Sequence, residues 1–120
     1  MTSFSRVNPA QPAPGLRLCA LDDLPDPGAK GFRYREGERQ FAAFIVRHGQ
    51  AVRGYVDSCP HAGWPLALMD RYLTRTGNRI LCSGHGALFD LEGLCLAGPC
   101  PGERLTSWPV ALREGEVFTA

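Results

Sequence analysis

The chain has 120 residues, 44% of them hydrophobic and 21% charged, with a formal net charge of +1. That is enough for one modest core, and the field is too weak for a nucleic-acid binder, which carries a clear basic excess. The longest apolar stretches, such as Phe41–Val46, fall far short of the roughly 20 residues that cross a bilayer, and the N-terminus shows no apolar secretory core. A soluble, cytoplasmic protein with no membrane or nucleic-acid partner is therefore expected.

Glycine (14) and proline (10) make up one residue in five, well above average usage, so turns should be many and helix scarce. Residues 1–15 have no apolar period and carry Pro9, Pro12 and Pro14, which predicts a loose N-terminal arm. A first strand is predicted over Leu16–Leu21, where Leu16, Leu18 and Ala20 alternate with Arg17, Cys19 and Leu21. The following Asp22–Gly31 stretch has turn chemistry throughout. Phe32–Arg35 and Gln40–Arg47 read as a hairpin across residues 36–39, and Ala51–Asp57 as its third strand after the His48-Gly49-Gln50 turn.

The pattern then changes. Two loops rich in glycine and proline, Ser58–Gly63 and Cys82–Gly86, flank a stretch in which Met69–Thr74 is predicted as one helical turn and Arg79–Leu81 as extended. Ala87–Leu91 reads as a short strand, Glu92-Gly93 as its turn, and Gly98–Gly102 as a rigid loop. Leu105–Arg113 and Glu116–Thr119 close the chain as a hairpin across Glu114-Gly115. The class is all-β, with short strands forming a sandwich or barrel.

Chemistry concentrates in Cys59-Pro60-His61-Ala62-Gly63 and Cys82-Ser83-Gly84-His85-Gly86. Five cysteines cannot pair completely within one chain, and in an intracellular protein cysteine beside histidine points to a metal or redox site. Thiolate and imidazole bind iron–sulfur clusters and zinc. A structural zinc site normally pairs like with like, as C-x₂₋₄-C and H-x₃₋₅-H. Here each loop supplies one cysteine and one histidine, which suits two cysteines on one metal and two histidines on another. That is the ligand pattern of a Rieske [2Fe–2S] centre. From the residues alone, zinc and an accidental cluster stay open as alternatives.

These two loops, the continuation Ala87-Leu-Phe-Asp90, Gly98-Pro99 and the closing Leu105…Val110…Gly115-Glu-Val117 together resemble the small Rieske-type ferredoxins over residues 16–120. The resemblance implies stacked antiparallel sheets with a small cluster-binding subdomain at about 58–101. It implies one [2Fe–2S] cluster per chain, with Cys59 and Cys82 on the inner iron and His61 and His85 on the outer. It further implies a one-electron carrier between a reductase and a terminal oxygenase or similar enzyme, rather than an oxygenase itself. Alternatives are the small subunit of an assimilatory nitrite reductase and a non-redox zinc or structural module.

High-potential relatives of respiratory complexes carry an extra disulfide cysteine in each loop, and a serine and tyrosine whose hydroxyls donate to sulfur. Trp64 and Gly84, and Ala87 and Phe89, stand at those places here. Fewer donors predict a low midpoint, on the order of −150 mV. One departure from the family is a slightly long gap between His61 and Cys82, around Met69–Gly77. Of the remaining candidates, Cys19 reads as core packing, Cys95 and Cys100 as small thiols bracketing the proline loop, and His48 as a solvated turn residue. Arg71, Arg75 and Arg79 form a basic stripe if Met69–Thr74 is helical.

Overall fold

The apolar run Phe41–Val46 does not alternate because its strand is covered on both sides. In the computed structural model, which describes residues 10–57, 72–74, 79–82, 87–98 and 102–120 (backbone alone at Cys82 and Ala87), this run lies in β3 (Arg39–His48), the centre of a sheet ordered β2-β3-β4. Its neighbours are β2 (Gly28–Glu36) and β4 (Ala51–Val56), both antiparallel to it. Phe41, Ala43 and Ile45 face one way and Phe44 and Val46 the other, and all five are buried.

A second sheet covers the first of those faces. It is ordered β1-β9-β8, from β1 (Arg17–Ala20), β9 (Glu116–Thr119) and β8 (Val110–Arg113). Between the two sheets Trp108 is 2% exposed and lies 5.8 Å from Phe41, 6.0 Å from Phe32 and 6.4 Å from Tyr34, ring centre to ring centre. Cys19, Leu21, Leu24 and Val117 complete this core. A small third sheet covers the other face, ordered β5-β6-β7 from β5 (Ile80–Cys82), β6 (Ala87–Phe89) and β7 (Cys95–Ala97). There Phe44, Tyr55, Tyr72, Ile80, Phe89, Cys95 and Leu105 pack together. The all-β class and the stacked antiparallel sheets are as expected, and among the described residues no helix is long and apolar enough to cross a membrane.

Several boundaries differ from the sequence reading. The stretch Asp22–Gly31 is not all turn: Leu21–Asp23 forms a 3₁₀ turn, and β2 begins at Gly28, paired with Arg47. The Arg47 guanidinium donates to the Leu21 and Leu24 carbonyls at 3.1 and 3.0 Å, fixing the turn to the end of β3. Tyr72–Thr74, the described part of the predicted helical turn, is extended: Leu73 bridges Ile80, and Leu81 N–H donates to the Tyr72 carbonyl. Of the arginine stripe, Arg71 and Arg75 lie outside the described residues. The last hairpin is shorter at its start, because Ser107 pairs with Tyr55 and Pro109 has no N–H for a ladder. Of the arm at 1–15, residues 1–9 lie outside the described residues. Ala10 is buried, and Thr119 holds the following segment through its hydroxyl, which accepts from Leu16 N–H and donates to the Ala13 carbonyl.

Candidate metal centre

Two chain segments lead into the candidate ligand loops, and both are firmly rooted. On the first side, β4 ends at Val56, yet Val56 N–H still donates to Thr106 and Asp57 N–H to Ala42 at 2.8 and 2.9 Å. Backbone pairing therefore reaches Asp57, two residues before Cys59. On the second side, Ile80–Phe89, Leu81–Leu88 and Cys82–Ala87 pair in register. Cys82 is thus the last strand residue, and the four-residue connection 83–86 carries His85. Cys59, His61 and His85 lie outside the described residues, as do Trp64 and Cys100.

Tyr72 joins the two roots. Its backbone pairs with Leu81, beside Cys82, while its hydroxyl donates to Asp57 Oδ2 at 3.0 Å. Its ring stacks on Phe44, centroids 4.4 Å apart and planes 13° from parallel. Gly31, inside β2, leaves the space for this ring: a Cβ there would collide with the Tyr72 hydroxyl and stand 3.1 Å from Cζ. The Asp57 side chain is fully buried, with the half-exposed Arg33 guanidinium 3.8 Å from the same oxygen.

A second tyrosine holds the far end of the small sheet. Tyr55 donates to the Leu91 carbonyl at 2.8 Å, and burial pushes its phenol up to about 12. Leu91 belongs to the β6–β7 turn, where Asp90 Oδ1 accepts from the N–H groups of Glu92 and Leu94. Gly93 closes that turn at a φ of 90°, with its α-carbon pressed on the Tyr55 ring so that a Cβ would stand 2.8 Å from Cε1. The proline loop is also rooted, since Cys95 N–H donates to Glu103 and Gly102 N–H to Cys95. Pro99–Pro101 lie outside the described residues.

The other cysteines behave as packing groups. Cys19 is 2% exposed, and burial raises its thiol above the usual range. Cys95 is 3% exposed and its thiol donates to the Ala97 carbonyl at 3.4 Å. Exposed His48 sits at the end of β3. Among the described residues no group of three or more His, Cys, Asp or Glu side chains is placed to hold a metal ion. The donor set of the two loops, two thiols and two imidazoles, fits a [2Fe–2S] cluster held by two cysteines and two histidines, and is also a set that zinc accepts.

The Rieske [2Fe-2S] domain family model matches residues 16–110. The chain belongs to this family. The cofactor of the Rieske domain is therefore a [2Fe–2S] cluster, one per chain, and the coarse function is that of a Rieske electron carrier. No curated protein matches the sequence significantly. Among solved structures, a chain in the complex of reduced oxygenase and oxidized ferredoxin in carbazole 1,9a-dioxygenase is 28% identical, with a TM-score of 0.66 over 88% of this chain and 100% of the other. The ferredoxin of carbazole 1,9a-dioxygenase from Nocardioides aromaticivorans IC177 gives 24% and 0.68, over 91% of this chain and 98% of that one. The Sphingomonas yanoikuyae B1 ferredoxin gives 24% and 0.61, over 88% and 96%. The last two are similar in fold.

Sequence reasoning about this Rieske domain missed Tyr72 and Asp57, which join the segments leading to the two candidate loops, and Tyr55, which holds the β6–β7 turn. One signal was available. A glycine inside a strand marks a close approach by another group, but Gly31 sits in a stretch so rich in turn residues that it reads as part of the turn.

Proposed function

We propose that this chain is a small Rieske-type ferredoxin in which the Cys59 and Cys82 thiolates hold one iron of the cluster and the His61 and His85 imidazoles the other. The cluster supplies reversible one-electron chemistry. Two thiolates and two sulfides balance two ferric ions, so the oxidised centre is neutral and accepts an electron more readily than an all-cysteine cluster. The observation that carries the reading is Cys82 at the closing pair of the β5–β6 hairpin, His85 three residues on, and the hairpin root bonded through Tyr72 to a residue two before Cys59.

The partner reading follows the similar chain found with a reduced oxygenase: a reductase supplies the electron and a terminal oxygenase or related enzyme consumes it. The midpoint should lie at the low end of the Rieske span, on the order of −150 mV. Phe89, buried in the small sheet, has no hydroxyl to donate toward sulfur. The protein itself acts as a carrier in the cytoplasm.

The deciding experiment is an EPR spectrum of dithionite-reduced protein together with iron and zinc content and a redox titration. An anisotropic signal averaging near g of about 1.9 with two irons per chain supports the two-cysteine, two-histidine centre. A silent spectrum with one zinc overturns it in favour of a structural module, and a midpoint above roughly +100 mV overturns the low-potential assignment. Turnover with an oxygenase, against none with a nitrite reductase large subunit, tests the partner class.

A further inference from the structure

We infer that Tyr72 is a positioning residue for the cluster: its phenol, donating to Asp57, locks the two ligand loops at one spacing. The inference rests on the ligand assignment above. Three observations carry it. The hydrogen bond is non-local, spanning 15 residues, and joins the two segments that enter the Cys59 and Cys82 loops. Both partners are withdrawn from water, Tyr72 at 1% exposure and the Asp57 side chain at zero, so the bond does not compete with solvent. The surroundings are shaped for the hydroxyl, because Gly31 gives up a side chain in mid-strand where any Cβ would strike it, and Phe44 fixes the ring plane.

A residue that merely filled the core would need the ring and not the oxygen. Here phenylalanine would fill the ring's space equally well, but Asp57 would lose a donor that is positioned within the protein. The loops would then hold their ligands at a wider range of separations, and the cluster would be released more readily. Tyr55 supplies the internal control. Tyr55 is also buried as a residue, and its hydroxyl, in a part-buried bond of similar length, ties the small sheet to the middle sheet at the β6–β7 turn.

The test compares full-length holoprotein with the variants Tyr72→Phe and Tyr55→Phe. Iron release to a chelator is followed by the cluster's visible absorbance, the EPR line shape of the reduced protein is recorded, and stability is read from denaturant midpoints. Both variants should lose similar stability. Only Tyr72→Phe should release iron faster, by about fivefold, the factor carried by one net hydrogen bond, and only Tyr72→Phe should broaden the g values. Gly31→Ala is a second variant, which keeps the phenol but denies its hydroxyl the space; it should shift iron release in the same direction. Equal release from wild type and Tyr72→Phe overturns the inference, as does equal acceleration by Tyr55→Phe. A wild-type protein with zinc in place of the two-iron signal overturns the ligand assignment first and the inference with it.

Discussion

The middle sheet and the small sheet are built on different principles. Strands β2, β3 and β4 run nine, ten and six residues, with two apolar faces and continuous register. Strands β5, β6 and β7 have three residues each and a register shift between the last two. A three-residue strand forms too few ladder bonds to offset its own ordering entropy. The small sheet is ordered by what it is attached to: Tyr72 at one end, Tyr55 at the other, and the buried apolar side chains between them. The difference teaches that the middle sheet is ordered by its own burial, while the small sheet takes its order from contacts with the rest of the fold.

The strongest way to break that comparison is to remove a proposed metal ligand. Cys82→Ser should prevent cluster assembly and release a whole sheet: amides of β5–β7 should exchange freely while those of β2 and β3 stay protected. Hydrogen exchange read by mass spectrometry checks this, and equal protection in both regions would show that the small sheet stands by itself.

The next effect strikes the base. Trp108→Ala removes the ring shared by Phe32, Tyr34 and Phe41 and should cost about 3–5 kcal/mol in denaturant unfolding. Because the small sheet is docked on the base, cluster absorbance should be lost at the same midpoint as strand circular dichroism. Separate transitions would mean that the two regions are independent.

Alkali sharpens the comparison at one contact. The Tyr55 phenol is raised from 10 to about 12 by burial, so the folded protein holds that proton more tightly than the unfolded chain. The stability this contributes is complete below pH 10 and fades as pH climbs from 10 to 12. Denaturant midpoints should fall across that window in the wild type and less steeply in Tyr55→Phe. Identical slopes would show that burial does not raise the Tyr55 phenol.

What could be read in advance depended on how local its cause is. The hairpin β2–β3–β4 was visible because each strand's apolar pattern and its Gly-bearing turn lie within ten residues. The candidate ligands were visible for a similar reason: Cys59 and His61, and Cys82 and His85, are neighbours along the chain, and the chemistry of thiolate and imidazole does not wait for the fold. Local signals also misled. Gly and Pro density hides the first four residues of β2, Gly28–Gly31, and the pattern around Tyr72–Thr74 reads as a helical turn although its partner is β5.

The sequence by itself determined the donor set, the all-β class, the family resemblance and the rough charge balance, since residue type and short spacing carry all four. Only the tertiary structure decided that β3 is buried on both faces, that Gly31 is a slot rather than a turn, and that Tyr72 joins Asp57 to β5. Those facts depend on contacts such as Asp57–Tyr72, Gly31–Tyr72 and Phe41–Trp108, which lie 15, 41 and 67 positions apart, and at such separations it is the packing of one sheet on another that selects the partner, not the propensity of either segment.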